Sequence, residues 1–142
     1  MNTESFTPAS ESFRYRIRVR YNEVDIQAHV FNARYLDYVD VAVTEYLRFL
    51  GVPYPPALNA PEFHIVKAVL EFKLSIRADE EIDLCVRTLR VGRTSWTVLV
   101  EFRRALNSDL CAVADIVYVT VQNGAPSPVP EAIRATVRTV GS

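Results

Sequence analysis

The sequence predicts an α+β domain in which one long antiparallel sheet curls around a single central helix. Three observations lead there. Phe13 to Tyr21 alternates strictly between apolar and charged side chains, the period of a strand with one buried face. Asn32 to Leu50 carries apolar side chains at helical spacing. Four more strand-like runs follow, joined by short turns, which connect antiparallel neighbours. The dimensions agree, since strands of about a dozen residues span ~40 Å and a helix of about nineteen residues is ~28 Å long.

In the first strand Phe13, Tyr15, Ile17, Val19 and Tyr21 share one face. Arg14, Arg16, Arg18 and Arg20 share the other, which reads as a solvated surface. In the helix, Tyr35, Leu36, Val39, Val43, Tyr46, Leu47 and Leu50 form a wide stripe, opposed by Arg34, Asp37, Glu45 and Arg48. Tyr38, Ala42 and Phe49 fill the flanks, so the helix should be wrapped over most of its circumference. Gly51 is a good stop.

The run PYPPALNAPE then reads as a loop or lid. From His64 to Ile76 the even positions His64, Val66, Ala68, Leu70, Phe72, Leu74 and Ile76 fall in phase, as in one long half-buried strand. A turn at Arg77-Ala78-Asp79-Glu80 leads to a strand at Glu81 to Val91. Gly92-Arg93 turns into Thr94 to Arg104, with Trp96, Val98, Val100 and Phe102 in phase. Asn107-Ser108-Asp109 turns into Leu110 to Gln122. Asn123-Gly124 and three prolines end the sheet, and Glu131 to Val140 suits a short terminal helix. The first twelve residues are polar and read as a disordered leader, 1–12, ahead of a single domain, 13–142.

Composition excludes several classes. Net charge is −1 and no long basic run occurs, which argues against nucleic acid as a partner. No apolar run approaches the ~20 residues of a membrane helix. Cys85 and Cys111 lie in strand-like runs without CxxC spacing, so free thiols in a cytoplasmic protein are expected. No metal is expected either; Asp25, His29 and His64 are the only side chains near a ligand set, and nothing else of ligand type clusters with them.

The stretch from Arg20 to Leu50 carries the chemistry. A strand ends, a short loop presents Asp25 and His29, and the apolar helix begins within a few residues. A carboxylate beside a helix start puts a base next to backbone N–H groups that lack intrahelical partners. With the positive end of the helix dipole, these are the parts needed to hydrolyse an activated acyl group without a Ser or Cys nucleophile. The structural alternative for Asp25 is a turn or helix cap. His29 is a candidate to orient substrate or to hold the loop. The free amides around Phe31, Asn32 and Ala33 are candidates for an oxyanion hole.

The segment VRYNEVDIQAHVFNARYLDYVD resembles a pattern of the hot-dog fold thioesterases, in the branch of hydroxybenzoyl-CoA thioesterase and its acyl-CoA relatives: an aspartate after the first strand, an H-V-[NF]-N-type turn, then an aromatic-rich helix. The likeness extends through RADEEIDLCVRTLRVGRTSWTVLVEF, with its acidic turn and G-[RK]-[ST]-S turn, to VYVTVQNGAPSPVPEAI. It implies an acyl-CoA thioesterase in which Asp25 either activates water or attacks the carbonyl, and the backbone at Asn32 binds the oxyanion. It also implies a homo-oligomer, dimer or tetramer, whose active sites take residues from two subunits. Coenzyme A would be part of the substrate, with no separate cofactor.

The resemblance further places Arg90, Arg93 and Ser95 at a turn similar to the family's coenzyme A-contacting segment, with Lys73 and Arg77 as further cations. Asp40 matches the position of an acidic residue in the hydroxybenzoyl-CoA enzyme and is a candidate to line the acyl pocket or orient water. Tyr35 and His64 are candidates to shape that pocket. Asn32-Ala33 stands where the hydroxybenzoyl-CoA enzyme has Tyr-Pro, which favours an aliphatic acyl group. Two alternatives share the fold: a non-catalytic acyl-binding module with Asp25 structural, and a thioesterase acting on acyl-carrier protein.

Overall fold

Strict alternation of side chains builds a sheet with one helix-facing surface. The computed structural model describes residues 13–53 and 60–141. Its elements are β1 (Phe13–Arg18), a single 3₁₀ turn (Tyr21–Glu23), α1 (Arg34–Leu50), β2 (Glu62–Phe72), β3 (Glu81–Val91), β4 (Ser95–Arg104), β5 (Leu110–Gln122), β6 (Ala125–Pro126) and α2 (Glu131–Gly141). The strands pair antiparallel in the order β1-β3-β4-β5-β2, and β6 extends β5 by two residues. The leader and most of the proline-rich loop lie outside the described residues.

The even positions of β5, Ala112, Ala114, Ile116 and Tyr118, are buried against α1, together with Ile82, Leu84 and Val86 of β3 and Trp96, Val98, Val100 and Phe102 of β4. The helix contributes Tyr35, Tyr38, Val39, Ala42, Val43, Tyr46 and Leu47. Each of the larger aliphatic and phenylalanine side chains among these is worth about 1.5–3 kcal/mol of burial. Two polar groups are matched inside: Thr88 Oγ1 accepts the Trp96 indole N–H at 3.1 Å and lies 3.3 Å from the Tyr46 hydroxyl. Gly51 takes the left-handed conformation, φ 78°, that ends α1, and its amide reaches the carbonyls of Arg48 and Leu47.

Several expectations need correction. β1 stops at Arg18, because Val19 exchanges its backbone bonds with Glu80 and Asp79 of the following turn, and Tyr21 is 84% exposed. The helix is less wrapped than its composition suggests: Leu36, Val41 and Phe49 remain exposed. β2 does not pair with β3, its neighbour in sequence, but with β5 at the far edge. Residues 73–80 therefore run beneath the ends of β5 and β4 to reach β3.

β2 is also shorter than expected. The carbonyl of Cys111 accepts both the Lys73 and the Leu74 amides, which breaks the ladder after Phe72. A bulge between Ile65 and Lys67 splits the even-numbered set. His64 pairs with Val119 and Ala68 with Ile116, which lie on opposite faces of β5. With β5 as its one neighbour among the described residues, β2 is exposed on both faces, with Val66 at 60% and Phe72 at 49%.

Candidate active site

The loop between β1 and α1 is held by its own aspartate. Asp25 Oδ1 accepts the amides of Gln27 at 2.8 Å and His29 at 3.3 Å, while the Asp25 amide donates to the His29 carbonyl at 2.8 Å. This tight turn puts Ala28 at φ 64°, a conformation that L side chains adopt at a cost. Oδ2 makes no hydrogen bond among the described residues. The carboxylate thus organises the turn with one oxygen and leaves the other unengaged among the described residues.

The loop is strapped to the crossover segment. Val30 N–H donates to the Ile76 carbonyl at 2.7 Å, Ala78 N–H to the Ala28 carbonyl at 3.3 Å, and His29 bridges Arg77. Arg104 anchors that segment from behind: it donates to the Ser75 carbonyl at 2.6 Å and to Glu80 Oε2 at 2.8 Å. Glu80 Oε1 accepts the Arg77 amide. Burial alone would raise the Glu80 carboxyl, but the Arg77 amide and the Arg104 guanidinium outweigh it and hold it below its ordinary value.

Helix α1 begins without a cap. Ala33 stands at the N-cap position, has helical dihedrals and offers no side-chain acceptor. The Phe31 amide is engaged by the Glu23 carbonyl at 3.2 Å, so it is not part of an oxyanion hole. Among the described residues the amides of Asn32 and Ala33 have no backbone partner. Glu23 fixes this end from the other side, as its Oε1 accepts both the Arg20 amide and the Tyr38 hydroxyl at 2.9 Å. Burial, and then that bond to Glu23, raise the Tyr38 hydroxyl.

These pieces surround an open cavity of about 380 Å³. Asp25, His29, Asn32 and Tyr35 line it, with Phe72 and Ser75 on the opposite wall. Tyr35 is buried, its ring edge-on to Phe72 at 4.9 Å and tilted against Phe102 at 5.2 Å. Burial, and then the neighbouring Cys111, push its hydroxyl up to about 12, so it is a neutral donor at ordinary pH. Lys73 lines the cavity beside its partner Glu71, 3.2 Å away. Five of the sequence candidates, Asp25, His29, Asn32, Tyr35 and Lys73, therefore converge. The wall residues Phe72 and Ser75 were missed as site residues because apolar alternation runs straight through the point where the ladder breaks.

The other candidates lie elsewhere. Asp40 is outside this cavity, on the helix flank near Tyr118; burial and then Asp37 hold its carboxyl above the usual range. His64 has left the helix-facing side and pairs with Glu62 at 2.8 Å. Arg90, Arg93 and Ser95 border the β3–β4 turn, and Ser95 aligns with Val119, the partner of His64. All four stand toward the end of the sheet remote from the cavity; along β2, His64 lies about 26 Å from Phe72 of the cavity wall. Within one chain the carboxylate and the cationic turn lie toward opposite ends of the sheet.

Among the described residues no three His, Cys, Asp or Glu side chains converge as a metal ion would require. No helix among them is long and apolar enough to cross a membrane.

The model of the thioesterase-like superfamily matches residues 19–137. The chain belongs to that superfamily. Its most informative relatives agree. Acyl-CoA thioesterase YbgC of Haemophilus influenzae is 29% identical over 125 residues, 87% of this chain and 92% of that protein. A thioesterase of Thermus thermophilus, solved with coenzyme A and Zn, is 27% identical with a TM-score of 0.73, covering 91% of this chain and 95% of that one. A thioesterase-superfamily protein from Jannaschia superposes with a TM-score of 0.83 at 23% identity, over 94% of this chain and 86% of that one, which bears on fold alone. The superfamily's hot-dog architecture is the sheet and helix described above.

Proposed function

We propose that this thioesterase-like chain hydrolyses acyl-CoA to a free acid and coenzyme A. One observation carries the reading: a carboxylate with one oxygen left free shares a cavity with an uncapped helix start. A thioester needs only a modest base, because its carbonyl is weakly resonance-stabilised and its thiolate leaves readily. Asp25 Oδ2 either deprotonates a water or attacks the carbonyl carbon to give a mixed anhydride that water then opens. Negative charge gathering on the carbonyl oxygen is met by the Asn32 amide, with Ala33 beside it, at the positive end of α1. Tyr35 and Phe72 supply the aromatic part of an otherwise largely polar lining, against which the acyl group would rest. The named acyl-CoA thioesterase relative and the coenzyme A-bound one support coenzyme A as the carrier.

The working unit in this proposal is a homo-oligomer. β2 is a long edge, unpaired on its outer side among the described residues, with exposed Ile65, Val66, Val69 and Phe72, a surface that pairing would bury. Antiparallel pairing with a second β2 about a two-fold axis sets the far end of one strand beside the near end of the other. Arg90, Arg93 and Ser95 of one protomer then approach the Asp25 cavity of its partner, where the phosphates of coenzyme A would lie.

The engagement of Asp25 Oδ1 in the turn favours one competitor, a binding module in which the aspartate is purely structural. Free thiol released from a panel of acyl-CoAs separates the two. Turnover that varies with acyl group supports the enzyme; saturable binding without thiol release supports the module.

A further inference from the structure

The β3–β4 turn is held from outside the sheet. Gly92 N–H donates to the Ser95 carbonyl at 2.8 Å and closes the turn. A Cβ on Gly92 would lie 2.6 Å from Ser95 Oγ, so the serine hydroxyl is packed onto the glycine and would have to turn away from any larger residue. The carbonyls on the inner side of the turn are taken by the C-terminal segment. Val129 N–H donates to the Arg93 carbonyl at 2.9 Å. Arg134 Nη2 donates to the Gly92 carbonyl at 3.0 Å and reaches the Arg93 carbonyl at 3.4 Å. The base from which Arg134 reaches is itself fixed, because Val129 and Ile133 are buried in the main core.

We infer that Arg134 is a positioning residue for the phosphate-bearing end of the substrate. A guanidinium that binds two consecutive carbonyls of a turn sets the backbone from which Arg93 projects, and Arg93 itself is exposed. The loss of backbone entropy that phosphate binding would otherwise demand of this turn is met on folding. Arg134 does not touch substrate. By the sheet geometry it serves the catalytic centre of the partner protomer, since it sits at the end of the sheet remote from its own chain's Asp25. The inference rests on the proposed reading of the turn as the contact for coenzyme A phosphates.

The test compares two thioesters of one acyl group in the full-length protein: acyl-CoA, and acyl-pantetheine, which lacks the nucleotide and its phosphates. Arg134→Met keeps the aliphatic stem and removes the donors. It should raise KM for acyl-CoA about tenfold, the scale of one lost charge-assisted contact. It should leave kcat and the KM for acyl-pantetheine within about twofold. Arg134→Lys, which keeps a cationic donor, should recover part of the loss. Arg93→Ala is the control on the underlying reading and should also raise KM for acyl-CoA alone. If Arg93→Ala acts and Arg134→Met does not, the inference about Arg134 is wrong while the reading of the turn stands. Equal losses on both substrates would mean a general structural role and overturn the inference. If Arg93→Ala changes nothing, the turn does not bind phosphate and the inference falls with it.

Discussion

Asp25 Oδ1 accepts the Gln27 amide at 2.8 Å, closing a turn that leaves the second carboxylate oxygen unbonded among the described residues. The structural and the catalytic readings of this aspartate are therefore complementary. The turn's strain sits at Ala28, with φ 64°. Ala28→Gly relieves that strain but frees the unfolded chain, so stability should change by less than about 1 kcal/mol. Ala28→Val places a β-branched residue where it fits worst. We expect it to lower both the melting temperature and kcat, measured by thermal unfolding and thiol release; an unchanged kcat would separate the turn from the chemistry.

Thr88 Oγ1 accepts the Trp96 Nε1–H at 3.1 Å and shares a hydrogen bond with the Tyr46 hydroxyl at 3.3 Å. Thr88→Val keeps the shape and removes the oxygen. Stability should fall by about 1–3 kcal/mol, the penalty for leaving a buried polar group unmatched. Urea unfolding with an unchanged slope reads this directly.

Glu80 ties the crossover segment to Arg104 and gives the fold an acid sensitivity. Its folded-state carboxyl lies below the ordinary value of 4.5. A depressed carboxyl contributes stability that is fully present above the unfolded value and is lost as pH falls through the folded one. Glu80→Gln should therefore destabilise the protein at neutral pH. The gap to wild type should shrink as pH drops below about 4.5 and both forms carry a neutral side chain. Melting temperatures of both proteins across pH 3–7 check the sign; a gap that widens in acid would contradict it.

The division of the candidate residues between two ends of the sheet has its own consequence. Chains carrying Asp25→Ala mixed with chains carrying Arg93→Ala form hybrid dimers with one doubly altered site and one intact site. Assayed at substrate far below KM, the refolded mixture should regain up to about a quarter of wild-type activity, as random pairing under two-fold symmetry gives. A mixture no more active than the average of its parents would place both residues in the same chain's site, or neither in any.

Much of this arrangement could be read from residue order. β3 and β5 match their expected bounds, because two-sided alternation and Gly, Asn and Asp turns mark both ends. Asp25, His29, Asn32 and Tyr35 come together because they are close in sequence, separated by one turn and the start of a helix. What failed were relations between distant segments. A one-residue bulge beyond Ile65 sends His64 to the other face, and period-2 patterns do not register an inserted residue. The pairing of β2 with β5 depends on which edge the chain returns to, a choice that local pattern does not encode. That choice makes residues 73–76 a wall of the cavity and carries Arg90, Arg93 and Ser95 to the opposite end.

The most direct test is thiol release by Asp25→Asn, which keeps an oxygen for the Gln27 and His29 amides but cannot act as base or nucleophile. Activity on the best acyl-CoA should fall by at least about a hundredfold, the scale of a lost general base, with the melting temperature close to wild type. A variant that folds normally and turns over within a few-fold of wild type would contradict the catalytic role of this carboxylate.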